Sequence, residues 1–174
     1  MLYIFGGLPG TGKSTLAASV ARGRKAFYLR IDTIEQALRN PAGAGIGWVG
    51  IEDIGPLGYL VAMGVALDNL RAGAEVVADS VNPLAITRDG WRDVALRAGS
   101  PFKEIEVICS NEMEHRLRVE TRITDVPGLK LPTWDEVRNR EYEPWHRERI
   151  VIDTAGQTPI QSIAATYSAL HIRP

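Results

Sequence analysis

Thiols are almost absent from this chain. Its one cysteine, Cys109, has no partner within the sequence, so no internal disulfide staples the fold. Cys109 closes a mostly apolar run (Ile105, Val107, Ile108), which marks it as a core thiol on a buried strand and fits a reducing, cytoplasmic setting. No uninterrupted apolar stretch is long enough to span a bilayer, so no membrane partner is expected. The opening MLYIFGGLPG is apolar but has neither a positive start nor a long hydrophobic region, and it reads as a strand rather than a secretion signal. Charge of one sign is not in excess either: the net charge is −1, which provides no electrostatic footprint for nucleic acid. The three histidines, His115, His146 and His171, lack metal-ligand spacing. Repeats, low-complexity tracts and linkers are missing, and 174 residues suit one domain, 1–174, with its own core.

What is present alternates. Short apolar runs at 2–5, 26–31, 75–78, 104–109 and 149–152 are separated by helical patterns at 13–22, 33–39, 59–71, 86–96, 112–124 and 158–170. That order predicts an α/β protein with a mostly parallel sheet. Thr133 with Glu136 three residues on predicts a capped helix start, and Thr158 is a plausible cap as well. Residues 40–58 hold six glycines and two prolines with no period, and are expected to form a long loop near the functional edge.

The strongest local signal is Gly7-Leu8-Pro9-Gly10-Thr11-Gly12-Lys13-Ser14, a complete G-x-x-x-x-G-K-[ST] loop between a strand and an amphipathic helix. Its glycines let successive N–H groups curl around phosphates, and the helix N-terminus adds its dipole. Gly10, Thr11, Gly12, Lys13, Ser14 and the adjoining Thr15 are therefore the expected nucleotide contacts, with Lys13 on the β- and γ-phosphates and Ser14 on Mg²⁺. Such a loop establishes nucleotide binding, not the reaction.

Two absences narrow the reaction. No N/T-K-x-D guanine motif occurs, which favours ATP. The apolar run 75–78 ends in Asp79-Ser80 rather than Asp-Glu, and the chain is too short for a helical lid domain. Switch and motor functions lose ground accordingly. Three features favour phosphoryl transfer. Arg30-Ile31-Asp32 ends the second strand, on the sheet edge that the phosphate loop faces; there Asp32 can orient or deprotonate an acceptor hydroxyl, or simply cap the next helix. Asp79 ends the third strand on the same edge and is a candidate for the Mg²⁺ shell or the acceptor. Arg118 and Arg122, four apart on one helical face, can close over the transferring phosphoryl group and exclude water, unless Glu114 and Glu120 merely pair with them at the surface.

This combination resembles the small bacterial P-loop kinases, a group that includes gluconate kinase, chloramphenicol phosphotransferase, the zeta toxin, the kinase half of polynucleotide kinase and many AAA-domain ATPases. The resemblance implies a three-layer α/β/α P-loop NTPase fold, a nucleotide-kinase-like five-stranded parallel sheet with a small mobile lid near 118–140. It implies catalytic roles for Lys13, Asp32, Arg118 and Arg122, with Thr154 on the loop that passes the adenine. ATP and Mg²⁺ follow as cofactors, and a hydroxylated small molecule as acceptor. A macromolecular acceptor, or a slow regulatory ATPase, are the rival readings. The protein is expected to be a monomer or homodimer.

The acceptor region matches no substrate signature of that group. Arg30, Asp32, Asp79, Trp48 and Asn82 are the candidate acceptor contacts; Asp53 lies in the same loop as Trp48, and Tyr59 beside it. Arg88 and Arg92 share a helical face, and a surface role is favoured for them. Residues 140–145 (Arg-Glu-Tyr-Glu-Pro-Trp) mix charge and aromatics and are expected to pack on the lid.

Overall fold

The computed structural model describes residues 1–40 and 50–173. Its elements run β1 (Leu2–Gly6), α1 (Lys13–Arg24), β2 (Phe27–Arg30), α2 (Ile31–Arg39), α3 (Leu57–Arg71), β3 (Val76–Asp79), α4 (Ala85–Arg97), β4 (Phe102–Ile108), α5 (Glu112–Thr121), α6 (Trp134–Arg138), β5 (Ile150–Asp153) and α7 (Pro159–Leu170). The five strands form one parallel sheet in the order β2-β3-β1-β4-β5. Parallel strands need crossovers, and the helices that supply them cover both faces. The predicted three-layer α/β/α architecture is therefore observed.

Strand periodicity sorts the core. Leu2, Ile4, Val76 and Ala78 point to one face and pack with Ala62, Ala66 and Trp91 of α3 and α4. Tyr3, Phe5, Val77, Ile105 and Val107 point to the other face and pack with Leu16 and Val20 of α1 and with Tyr167 and Leu170 of α7. Because β1 is central, every one of its residues is buried, which explains its unbroken apolar run.

Beside the first core, β4 turns Glu104 and Glu106 inward. Helix α4 offers Glu104 only a long ion pair, to Arg92 at 3.9 Å. The stretch 140–149 crosses this part of the sheet instead: Arg147 donates to Glu104 at 2.9 Å and Arg149 to Glu106 at 2.7 Å. Trp145 is buried, and a Cβ on Gly6 would stand 3.1 Å from its ring. The expectation that residues 140–145 pack on the lid is thus corrected; buried carboxylates require paired cations, and this segment supplies them. The surface role favoured for Arg88 is corrected too. It is 2% exposed, stacks 4.3 Å above Trp145, and donates to the carbonyls of Asn82, Pro83, Glu143 and Pro144. Burial holds its pKa below the usual arginine value.

Both capping boxes exist, Thr133 with Glu136 and Thr158 with Gln161, the second with Pro159 at the helix start. Helix α5 ends at Thr121, three residues earlier than expected. Thr121, Ile123 and Thr124 disfavour further helix, and the Thr124 hydroxyl accepts from the Val126 N–H at 3.1 Å to start a turn. Trp48 lies outside the described residues, as do residues 41–49 of the glycine-rich stretch around it.

Candidate functional site at the carboxyl edge of the sheet

All five strands point their C-terminal ends at one edge, and the phosphate loop occupies its centre, between β1 and α1. Two glycines are required there. Gly7 has φ +141, and a Cβ would come 2.2 Å from the Val107 carbonyl oxygen of β4. Gly10 has φ +86, and a Cβ would come 2.5 Å from Val119 of α5. Three side-chain hydrogen bonds help pin the loop: Thr11 Oγ1 to the Leu8 carbonyl (2.9 Å), Thr154 Oγ1 to the Thr11 carbonyl (2.8 Å), and His115 Nε2 with the Pro9 carbonyl (2.8 Å). Helix α1 begins without a side-chain cap and without an acidic residue in its first turn. Its leading N–H groups and the positive end of its dipole are left for an anion.

A cavity of about 580 Å³ opens over this loop. Its walls include Gly10, Gly12, Lys13, Ser14 and Thr15 from the loop and α1, Tyr28 and Arg30 from β2, and Arg118, Arg122 and Asp125 from α5 and the segment after it. Lys13 reaches beneath the cavity to Asp79, with Nζ 3.1 Å from Oδ1. Tyr28 donates its hydroxyl to the other oxygen of Asp79 at 2.6 Å. Asp79 is 1% exposed. Burial alone would raise its carboxyl. The Lys13 ammonium, with hydrogen bonds from Tyr28, Ser14 and Lys13, outweighs that and carries it below the usual carboxylate range. Burial and the adjacent Asp79 charge push the Tyr28 phenol up, so it stays a donor. Ser14 and Asp79 offer hard oxygen donors side by side, the donor type that suits Mg²⁺. No cluster of three or more His, Cys, Asp or Glu fit to hold a metal exists among the described residues, so an ion there would need oxygens from the nucleotide as well.

On the β5 side, Arg118 donates to Thr154 Oγ1 (2.8 Å) and to the Thr154 carbonyl (2.9 Å), and pairs with Glu114. The other oxygen of Glu114 accepts from the Gly156 N–H at 2.8 Å, which lowers its pKa. A second cavity of about 370 Å³ lies here, walled by Gly10, Gly12, Thr15, Arg118, Thr154, Gln157 and Pro159. Arg122 leaves the helix as its C-cap but still faces the first cavity, so the arginines converge although they do not share a helical face.

On the β2 side, Asp32 sits half-buried in the first turn of α2; Arg30 is the cap residue, and no side chain caps that helix. The capping role for Asp32 is therefore not observed. Asp32 is not a wall of the large cavity. Asn82 is fully buried in a left-handed conformation and donates its amide to the Phe5 carbonyl at 3.0 Å, so its placement is structural rather than accessible. Asp53 accepts from the Gly55 N–H in a local turn, and the Tyr59 hydroxyl accepts from the Asn82 N–H.

Four contributors escaped sequence reasoning. Tyr28 carried a usable signal, since it lies two residues before Arg30 and so on the same strand face. Glu114 was visible only as an i,i+4 partner of Arg118. For His115 and Asp125, nothing local announced the contacts to Pro9 and Arg30.

The model of the family described as AAA domain matches residues 2–140, so the chain belongs to that family. No curated protein sequence matches it. Among solved structures it is similar to a gluconokinase from Sinorhizobium meliloti (TM-score 0.66, 15% identity, 97% of this chain and 90% of that one). It is also similar to a sugar kinase from Janibacter (TM-score 0.64, 17% identity, 99% and 95%). A third is the APS kinase of Mycobacterium tuberculosis in complex with AMPPNP and APS (TM-score 0.61, 22% identity, 98% and 96%). The chain thus has the P-loop kinase fold over its whole length.

Proposed function

We propose that the protein is an ATP-dependent phosphotransferase that moves the γ-phosphoryl group to a hydroxyl of a small-molecule acceptor. The observation that carries this reading is the single cavity in which the phosphate loop, Lys13, Arg118 and Arg122 face one another. A loop alone binds phosphate; cations on the opposite wall stabilise charge on a phosphoryl group in flight. The similarity in fold to gluconokinase and APS kinase supports the same reading.

In this mechanism the α1 N-terminus and the loop N–H groups hold the β- and γ-phosphates. Lys13 exchanges its Asp79 partner for phosphate oxygens. Ser14, with Asp79 nearby, would hold Mg²⁺, which would supply charge that neutralises the phosphates. Arg118 is already oriented by Thr154 and Glu114, so little side-chain entropy is lost when it engages the nucleotide. The adenine lies toward Thr154 and the smaller cavity. Asp32, on the opposite side, orients the acceptor hydroxyl and accepts its proton. Residues 118–140 act as the lid of a single domain, 1–174, and exclude water.

The test is an ATP-consumption screen against sugars, sugar acids, nucleosides and hydroxylated antibiotics, with Lys13→Ala as control. A compound that stimulates the wild type but not the variant is the expected result. Tight ATP binding with no stimulation by any compound would sink the small-molecule reading. It would leave a macromolecular acceptor or a nucleotide-dependent regulator.

A further inference from the structure

Arg30 is held in an unusual electrostatic position. Its side chain is only 10% exposed. Nη1 donates to both oxygens of Asp125, at 2.8 and 2.9 Å. Nε is buried and has no hydrogen-bond partner; the nearest carboxylate oxygen, Asp79 Oδ2, is 4.0 Å away, too long for a hydrogen bond. Asp79 is already engaged by Lys13 and Tyr28. The remaining counter-charge is Asp125, whose own side chain is 79% exposed on the segment that follows α5. A buried guanidinium is thus neutralised by a solvent-facing carboxylate through one nitrogen, while a second donor goes unused inside the protein. That arrangement is expensive as a structural ion pair, because an orphaned buried donor keeps its full desolvation cost.

Position identifies what would use it. Arg30 is level with Asp79 in the sheet, and β2 lies two strands from β1, about 10 Å from the start of the phosphate loop at ordinary strand spacing. Thr154 lies two strands away in the opposite direction, after β5. A nucleotide whose base extends toward Thr154 leaves Arg30 on the acceptor side, in the same cavity wall as Tyr28.

We infer that the acceptor carries an oxyanion (a carboxylate, or a phosphate or sulfate ester) that takes Arg30 from Asp125. The inference rests on the kinase reading above. Nη1 and Nη2 of a guanidinium form a fork that matches an oxyanion through two parallel donors, which a neutral hydroxyl cannot reproduce. Asp125 is the resident competitor: its carboxylate occupies Nη1 while no acceptor is bound and turns into solvent when one arrives, with residues 118–140 still over the site.

The experiment titrates inorganic sulfate into protein saturated with a non-hydrolysable ATP analogue and Mg²⁺, so that the phosphate loop is already filled. Sulfate should bind the wild type, bind Asp125→Asn about five- to tenfold more tightly, and fail to bind Arg30→Gln. The gain in Asp125→Asn cannot arise from misfolding, and melting temperatures without ligand check Arg30→Gln. Equal sulfate affinity in wild type and Asp125→Asn overturns the inference, as does undiminished binding to Arg30→Gln or no sulfate binding at all. If Arg30→Gln instead loses the ATP analogue, Arg30 serves the nucleotide and the inference is wrong. Each of those outcomes leaves the kinase reading standing. Failure of the wild type to bind the analogue removes that reading, and the inference falls with it. In the acceptor screen, hydroxylated carboxylates and phosphate esters then separate the sources of the oxyanion. A neutral acceptor turned over equally by wild type and Arg30→Gln would contradict the assignment.

Discussion

The two flanks of the phosphate loop are built on different terms. Toward β5, polar groups are closed on one another: Arg118 on Thr154 and Glu114, Glu114 on Gly156, Thr154 on Thr11. Toward β2, donors and acceptors are left over. Arg30 Nε and Asn82 Oδ1 are buried without partners, and Arg30 relies on an exposed carboxylate. A closed network is rigid and already shaped. An open one stores desolvation cost that a ligand can relieve. On the kinase reading proposed above, the closed flank would receive the nucleotide and the open flank the acceptor.

The largest expected effect removes the residue common to both flanks. Lys13→Ala should lower acceptor-stimulated ATP consumption by about a thousandfold, because the cation on the transferring group is lost. Residual turnover near the wild-type rate would show that the loop does not face the reacting phosphate.

A matched pair sharpens the comparison itself. Asp32→Asn should reduce kcat about a hundredfold while leaving ATP affinity within about twofold. Arg118→Ala should weaken ATP binding about tenfold, through loss of its charge-assisted hydrogen bonds. The partition is read by measuring ATP affinity calorimetrically beside kcat. If Asp32→Asn loses ATP affinity and Arg118→Ala does not, the flanks have been assigned the wrong way round.

The smallest effect tests closure alone. Thr154→Val keeps the shape but removes the hydroxyl that joins Arg118 to the Thr11 carbonyl. Denaturant unfolding should show a loss of about 1–3 kcal/mol. An unchanged midpoint would mean that the β5 flank is not closed in the sense described.

The sheet was legible for a simple reason. Parallel strands buried on both faces read as short apolar runs, and all five were found within two residues of their bounds. The phosphate loop was legible because its backbone demands glycine, as the Gly7 and Gly10 clashes illustrate. Helix α5 was overextended because its charged pattern continued while β-branched residues ended it. Residues 140–149 were misplaced because aromatic and charged residues carry no address; only the inward-facing Glu104 and Glu106 gave them one.

The amino-acid order by itself determined the alternation of strands and helices, the phosphate loop and the carboxyl-edge positions of Arg30, Asp32, Asp79 and Thr154, since each follows from local period or local backbone geometry. Which of those side chains meet was decided only by the tertiary structure. Asp79 binds Lys13 across 66 residues and Arg30 binds Asp125 across 95, and charges so far apart in the chain are brought together by how the sheet and the segment after α5 pack, not by any pattern written between them.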